Sequence, residues 1–264
     1  ACDLNATNVC TRLAMSYEDK EHARYNIKKS IELYEKACAL NDIRACDGLG
    51  FLYTRSESFM KPNEALSLKY FMKTCELAPY TCEKIATAYE TGNKLKKNID
   101  NAIKFYEKAC DNNLTQSCSK LGRIHLENQN YKTALPFLIK ACESKEDWSC
   151  TQVAKVYENG NKEVLKDKEK SVLFYDKACD FGSRTSCKNL ALKYLSEENP
   201  AKNMHKVLHY FVKACDKADA DACREVALIY KSGKNGVKIN KMRSLNFFSK
   251  ACNYGNEKSC KLKQ

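Results

Sequence analysis

Apolar residues recur along this chain in two alternating helical patterns. The first starts at a cysteine and carries an aliphatic residue three positions later, Gly or Ala at four, and an aromatic residue or His at seven. It appears as CTRLAMSY (10–17), CDGLGFLY (46–53), CEKIATAY (82–89), CSKLGRIH (118–125), CTQVAKVY (150–157), CKNLALKY (187–194) and CREVALIY (223–230). Positions three, four and seven share one face of a helix, here helix A. The second pattern ends at a cysteine: ELYEKAC (32–38), KYFMKTC (69–75), KFYEKAC (104–110), PFLIKAC (136–142), LFYDKAC (173–179), HYFVKAC (209–215) and NFFSKAC (246–252). Its apolar positions, such as Ala102, Phe105, Tyr106, Ala109 and Cys110, also fall on one face, and this is helix B. A loop of variable length joins A to B, as at 91–98 or 233–240, and shrinks to about 128–130 in the fourth unit. A short polar linker such as 111–117 joins B to the next A.

The unit is 32 to 37 residues long, the period of helix-turn-helix solenoids. The pattern predicts one all-α solenoid domain over 1–264. Its repeats would run 10–45, 46–81, 82–117, 118–149, 150–186, 187–222 and 223–259, with a C-terminal half-repeat at 260–264. Only nine Gly and four Pro are available, too few for the tight turns of an all-β protein. No apolar run approaches the roughly 20 residues that span a bilayer, so no transmembrane segment is predicted. The start at Ala1-Cys2 lacks a charged and apolar leader, and any signal peptide is expected to have been removed.

Sixteen cysteines are too many for a reducing cytosol, and an even number permits complete pairing. Structural zinc would call for close Cys-x2-Cys or Cys-x4-Cys pairs, which the sequence lacks. Each B helix ends and each next A helix begins at a cysteine, so a short antiparallel turn brings the two within disulfide reach. The expected bridges are therefore local: Cys2 with Cys10, Cys38 with Cys46, Cys75 with Cys82, Cys110 with Cys118, Cys142 with Cys150, Cys179 with Cys187, Cys215 with Cys223 and Cys252 with Cys260. The third loop is one residue shorter and contains Pro79. Each staple is expected to add about 2 to 3 kcal/mol at most. The net charge of +12 looks spread over every repeat among acidic residues, with no Arg-rich or aromatic-basic tract, which argues against a nucleic-acid partner.

The Tyr/Phe-x-Lys-Ala-Cys segment, the polar turn and Cys-x-x-Leu-Gly/Ala-x-x-Tyr, with the loop YKSGKNGV at 230–237, resemble Sel1-like repeats, relatives of tetratricopeptide repeats. The cysteine-bearing form resembles the Helicobacter cysteine-rich proteins. Ile85-Ala86, Val153-Ala154 and His125 depart from the pattern, which marks divergence between repeats. The resemblance implies a right-handed α/α superhelical solenoid of seven stapled pairs whose A helices form a concave wall. It further implies a secreted or periplasmic location and either a host-interaction or adaptor role or penicillin binding with slow β-lactam hydrolysis. A mitochondrial intermembrane-space relative is the alternative location, since that compartment also permits disulfides.

The hydrolase reading needs Ser-x-x-Lys, Ser/Tyr-x-Asn and Lys-Ser/Thr-Gly groups converging on one point. Fragments exist at Ser58-x-x-Lys61, Ser117-x-x-Lys120, Tyr157-x-Asn159 and Lys231-Ser232-Gly233. In so lysine-rich a chain two Ser-x-x-Lys matches are expected by chance, and the other fragments lie two repeats apart, so no catalytic residue is assigned. His205 and His209 are spaced i, i+4 without a third ligand, and neither metal nor cofactor is expected. His125 takes the aromatic column of helix A.

Binding is expected instead on the concave face, from positions one, two and five after the A cysteine: Arg12, Lys84, Lys120, Arg123, Gln152, Lys155, Lys188, Asn189 and Arg224, with Phe51 and Leu192 among them. This wall would suit a protein, an acidic peptide or a cell-wall glycan, held by a monomer. Asn5 and Asn113 lie in Asn-x-Thr sequons with an acidic residue two before, and are candidate glycosylation sites.

Overall fold

Each B helix starts on an asparagine or aspartate. In the computed structural model, which describes residues 7–21, 23, 25–55, 61–196 and 203–262, Asn26, Asn63, Asn98, Asn130, Asp167, Asn203 and Asn240 are the N-caps. In five of them the side-chain oxygen accepts from the backbone N–H three residues on, at Lys29, Leu66, Asn101, Lys170 and Arg243. That satisfies a donor which the first helical turn leaves open. The cap's own N–H donates back to the aromatic column of the preceding A helix: Asn26 to Tyr17, Asn63 to Tyr53, Asn98 to Tyr89, Asn130 to His125, Asp167 to Tyr157 and Asn240 to Tyr230, at 2.8 to 3.0 Å. Loops of different length therefore close at one common point.

Fifteen α-helices run through the described residues, with no strand among them. The chain divides into two compact units, Ala1–Leu121 and Gly122–Gln264. Unit 1 holds α1 (Thr7–Glu18), α2 (Ile27–Ala39), α3 (Ile43–Leu52), α4 (Glu64–Leu77), α5 (Pro79–Thr91), α6 (Ile99–Asp111) and the start of α7 (Thr115–Glu127). In it α1/α2, α3/α4 and α5/α6 form hairpins, joined by packing of α2 on α3 and α4 on α5. Unit 2 holds the rest of α7, then α8 (Tyr131–Glu143), α9 (Asp147–Asn159), α10 (Lys168–Phe181), α11 (Arg184–Leu195), α12 (Met204–Asp216), α13 (Ala220–Ser232), a 3-10 turn at Lys234–Gly236, α14 (Lys241–Asn253) and α15 (Glu257–Lys261). Its hairpins are α9/α10, α11/α12 and α13/α14, again packed in chain order. Odd-numbered helices are A helices and even-numbered ones are B helices.

Seven disulfides lie among the described residues: Cys38–Cys46, Cys75–Cys82, Cys110–Cys118, Cys142–Cys150, Cys179–Cys187, Cys215–Cys223 and Cys252–Cys260, with Cα atoms 4.6 to 4.8 Å apart. Cys10 is buried and disulfide-bonded; Cys2 lies outside the described residues, as does Asn5. The seven-residue spacer has a backbone cause. Three residues past the first cysteine the chain turns left-handed, at Asn41, Asn113, Lys145, Gly182, Ala218 and Gly255. The short staple dispenses with that residue: Ala78 closes α4 and opens α5, and Pro79 takes the first helical position, where its missing N–H costs nothing. Asn113 is exposed in this turn, and asparagine tolerates positive φ better than most residues, so the turn alone accounts for it.

The core of each pair is built on the residue four before the B cysteine. Tyr34, Phe71 and Tyr106 in unit 1 and Leu138, Tyr175, Phe211 and Phe248 in unit 2 are all fully buried, each contributing about 2 to 3 kcal/mol by removal from water. The small residue in helix A makes room for it. A Cβ added at Gly50 would overlap the Phe71 ring, and one at Gly122 would overlap Leu138. Buried serines at the start of helix B close the hairpins, Ser30 donating to the Ala14 carbonyl, Ser67 to Gly50 and Ser244 to Ala227 at 2.8 to 2.9 Å. Successive B helices are tied by the recurrent lysine of Lys-Ala/Thr-Cys, which reaches the preceding repeat: Lys73 to the Cys38 carbonyl, Lys108 to Glu76, Lys213 to Asp180 and Lys250 to Asp216.

Candidate functional site

The polar positions of the A helices are the candidate wall, and much of their charge is already spent between repeats. Arg12, Lys84, Arg123 and Lys155 are exposed, whereas Lys120, Gln152, Lys188, Asn189 and Arg224 are half-buried. Lys188 sits 3.1 Å from Asp219 and 4.0 Å from Asp221 at the start of α13. Arg224 donates to Glu225 at 3.2 Å. Lys84 lies over the Tyr80 ring at 5.3 Å. In unit 2, Asn189, Leu192, Lys193 and Glu158 line a shallow cleft of about 510 Å³.

Three buried tyrosines bring wall acids and cations together. Tyr34 donates to Glu18 at 2.9 Å, Tyr106 to Glu90 at 2.6 Å and Tyr175 to Glu158 at 2.7 Å. Each group takes a cation from the following A helix or the turn after it. Arg55 meets Glu18 at 2.6 Å and Lys193 meets Glu158 at 2.6 Å. Lys120 donates to the Tyr106 hydroxyl at 3.1 Å and to Thr87 at 3.0 Å, with Glu83 3.8 Å away. Burial, together with the carboxylate beside each hydroxyl, holds all three tyrosines well above their ordinary pKa. Burial opposes ionisation of Glu158, yet Lys193 and Tyr175 outweigh it and hold the carboxyl below its usual range. Reading the sequence column by column misses these acids, and Arg55 and Lys193 with them. The signal is a correlation: where the residue eight after the A cysteine is Glu, at 18, 90 and 158, the residue four before the next cysteine is Tyr, and nowhere else.

Unit 1 contains a second kind of wall position. A cleft of about 590 Å³ opens between α1 and α3, lined by Met15, Glu18, Arg44, Asp47, Phe51 and Lys94 among others. Gly48 forms part of its lining, where a Cβ would press on the Tyr34 ring. The half-buried Asp47 carboxylate accepts no hydrogen bond and makes no ion pair among the described residues. Burial raises its pKa, and Lys94 and Lys84 offset this only in part. At the equivalent position of the next repeat Glu83 faces Lys120; here Lys84 turns to Tyr80 instead, and Asp47 stays open to the cleft.

The hydrolase fragments are not assembled at one place. Ser117 is fully buried, with its Oγ unpartnered, and the Lys120 ammonium points to Tyr106 and Thr87. Ser58 lies outside the described residues. Tyr157 and Asn159 close α9, while Lys231 to Gly233 closes α13, in a different hairpin. His205 and His209 are exposed on α12, and among the described residues no group of three His, Cys, Asp or Glu is placed to hold a metal ion. His125 stacks on Phe137 at 5.7 Å, as Tyr157 does on Phe174 and Tyr194 on Tyr210, so it serves the aromatic column.

Comparison with known proteins agrees with this architecture. The Sel1 repeat matches residues 9–42, 43–78, 79–114, 149–183 and 220–256, more than half of the chain. The chain belongs to the Sel1 repeat family. Residues 115–147, the repeat with the shortened loop, match the tetratricopeptide repeat. Cytochrome c oxidase assembly factor 7 of Xenopus tropicalis is 30% identical over 204 residues, covering 75% of this chain and 73% of that protein. A protective antigen of uropathogenic Escherichia coli strains displaying an SLR fold superposes with a TM-score of 0.61 at 20% identity, over 97% of this chain and 56% of its own. A Sel1 repeat protein from Oxalobacter formigenes gives 0.53 at 19% identity, over 94% and 98%. Helicobacter pylori cysteine rich protein B is 29% identical over 50% of this chain and 92% of its own, with a TM-score of 0.37. The Sel1 repeats here thus build a stapled scaffold of the type that serves as a protein-interaction module. Among the described residues no helix is long and apolar enough to cross a membrane, and the disulfides suit an oxidising compartment.

Proposed function

We propose that this Sel1 repeat protein is a monomeric binding scaffold that holds an extended segment of a partner protein in the unit 1 cleft. The open carboxylate of Asp47 carries this reading. A half-buried acid without a partner weakens the fold at neutral pH, and such residues mark sites used for something other than stability. Arg44, Lys84 and Lys94 around it favour acidic side chains on the segment, Asp47 would accept a backbone N–H, and Met15 and Phe51 supply apolar contact. An extended protein segment fits these chemistries better than a glycan does, because the cleft offers apolar as well as polar contacts.

The compartment is one that permits disulfides, secreted or periplasmic in a bacterium. The assembly factor named for the Xenopus relative supports the mitochondrial intermembrane space as the alternative. A photo-crosslinking amino acid at Met15, introduced in the native compartment, is expected to trap one partner of defined mass. Leu40, exposed on a staple turn, serves as the control position. Loss of the Met15 adduct with Asp47→Lys is the expected result; identical adducts from both positions would reject the cleft as the site.

A further inference from the structure

The charge that looks evenly spread in the sequence gathers in one place. Residues 226–256 contain no Asp or Glu and six cations, Lys231, Lys234, Lys238, Lys241, Arg243 and Lys250. Lys250 pairs with Asp216 and Arg243 covers Tyr230, but Lys234, Lys238 and Lys241 stand exposed around the loop from α13 to α14. Ile239 and Met242 project from the same loop and the first turn of α14, 59% and 83% exposed. The α9 to α10 loop adds a further exposed apolar side chain, Leu165, 86% exposed, between Lys162 and Lys166, whose charges Glu163 and Asp167 of the same loop balance. The acids of that loop are engaged internally, Glu163 accepting from the Lys132 backbone and Asp167 capping α10 while paired with Lys170.

Leu165, Met242 and Ile239 are the three most exposed large apolar residues among those described. Because both loops join an A helix to its B helix in a stack of hairpins, they lie on the same edge of unit 2, opposite the staples. Residues 197–202 lie outside the described residues.

We infer that this edge of unit 2 docks on an anionic lipid surface, with its lysines among the headgroups and Leu165, Ile239 and Met242 dipping into the interface. Single apolar side chains projecting from loops, rather than lining a groove, match a soft flat target, and the lysines around them match its negative charge.

Vesicle co-sedimentation of the whole chain tests this, with phosphatidylcholine alone and with phosphatidylglycerol as about one lipid in three. The anionic vesicles are expected to bind the chain at least several-fold more strongly. Lys234→Gln, Lys238→Gln and Lys241→Gln together should lower partitioning on the order of tenfold or more. Leu165→Asn with Met242→Gln should keep the charge yet lose the binding that survives raised salt. Leu40→Asn on the staple edge should change nothing. All these side chains are exposed, so unchanged circular dichroism and melting are expected and checked. Equal binding to neutral vesicles, no effect of the lysine substitutions, or binding to heparin or duplex DNA without binding to vesicles would each overturn the proposal, the last in favour of a polyanion partner.

Discussion

The Tyr175 hydroxyl donates to Glu158 at 2.7 Å, and the same carboxylate takes the Lys193 ammonium at 2.6 Å, so one acid joins its own hairpin to the next. Glu158→Leu removes the acceptor of the Tyr175 hydroxyl and the counter-charge of Lys193, which keeps only its 3.2 Å hydrogen bond to Ser171, and about 1 to 3 kcal/mol of stability should be lost. Adding Tyr175→Phe should recover part of it, because the pair then resembles Phe211 with Leu195 in the next repeat. A double-mutant cycle by denaturant unfolding reads the coupling; strict additivity would mean that the hydroxyl and the carboxylate act independently.

The same tyrosines set a limit at alkaline pH. Their folded pKa values lie above the ordinary 10, so above pH 10 the native state binds more protons than the unfolded one and stability falls as pH rises. Tyr70, pushed up to about 12 by burial and Glu35, adds to this. Ultraviolet titration should show one group of tyrosines ionising near the ordinary value and the buried group only as the chain unfolds. Tyr34→Phe, Tyr106→Phe and Tyr175→Phe should shift the alkaline transition upward.

Much of this was legible in the sequence, and the part that was not has a common cause. The cysteine spacing gave the staples directly, and the three-four-seven stripe gave both helix faces, because neighbours in one helix are neighbours in sequence. Glu18 with Tyr34 and Arg55 is different: the contact joins residues 16 and 37 positions from Glu18, which no helical period relates. Lys120 and Lys188 pair with Glu83 and Asp219 on adjoining A-helix segments, contacts that the position of each lysine within its own helix does not reveal. The left-handed turn residue was hidden because Asn, Gly, Lys and Ala all fill it.

That mixture leaves room for improvement. Ala218 holds φ at 64° and Lys145 at 66°, where a Cβ costs about 1 kcal/mol. Ala218→Gly and Lys145→Gly should each stabilise the chain by at most about 0.5 kcal/mol after the added freedom of the unfolded glycine is deducted. Asn113→Gly should change little, since asparagine already suits the turn. Thermal melts of the three variants check the order, and a destabilised Ala218→Gly would show that the turn carries no strain.

Asp47 offers the sharpest test, because stability and binding should move in opposite directions. Its folded pKa is raised by burial, so between the ordinary carboxylate value of about 4 and the folded value the native state binds more protons than the unfolded chain. Stability therefore falls as pH rises through that window and stays lowered at neutral pH. Asp47→Asn should raise the melting temperature at pH 7 by up to a few degrees, with the gain vanishing as pH falls below the ordinary carboxylate range. The same variant should weaken the Met15 adduct, since an amide cannot supply the charged acceptor that the cleft holds open. A variant that melts lower at pH 7 would make Asp47 a structural residue after all, and the case for the cleft would go with it.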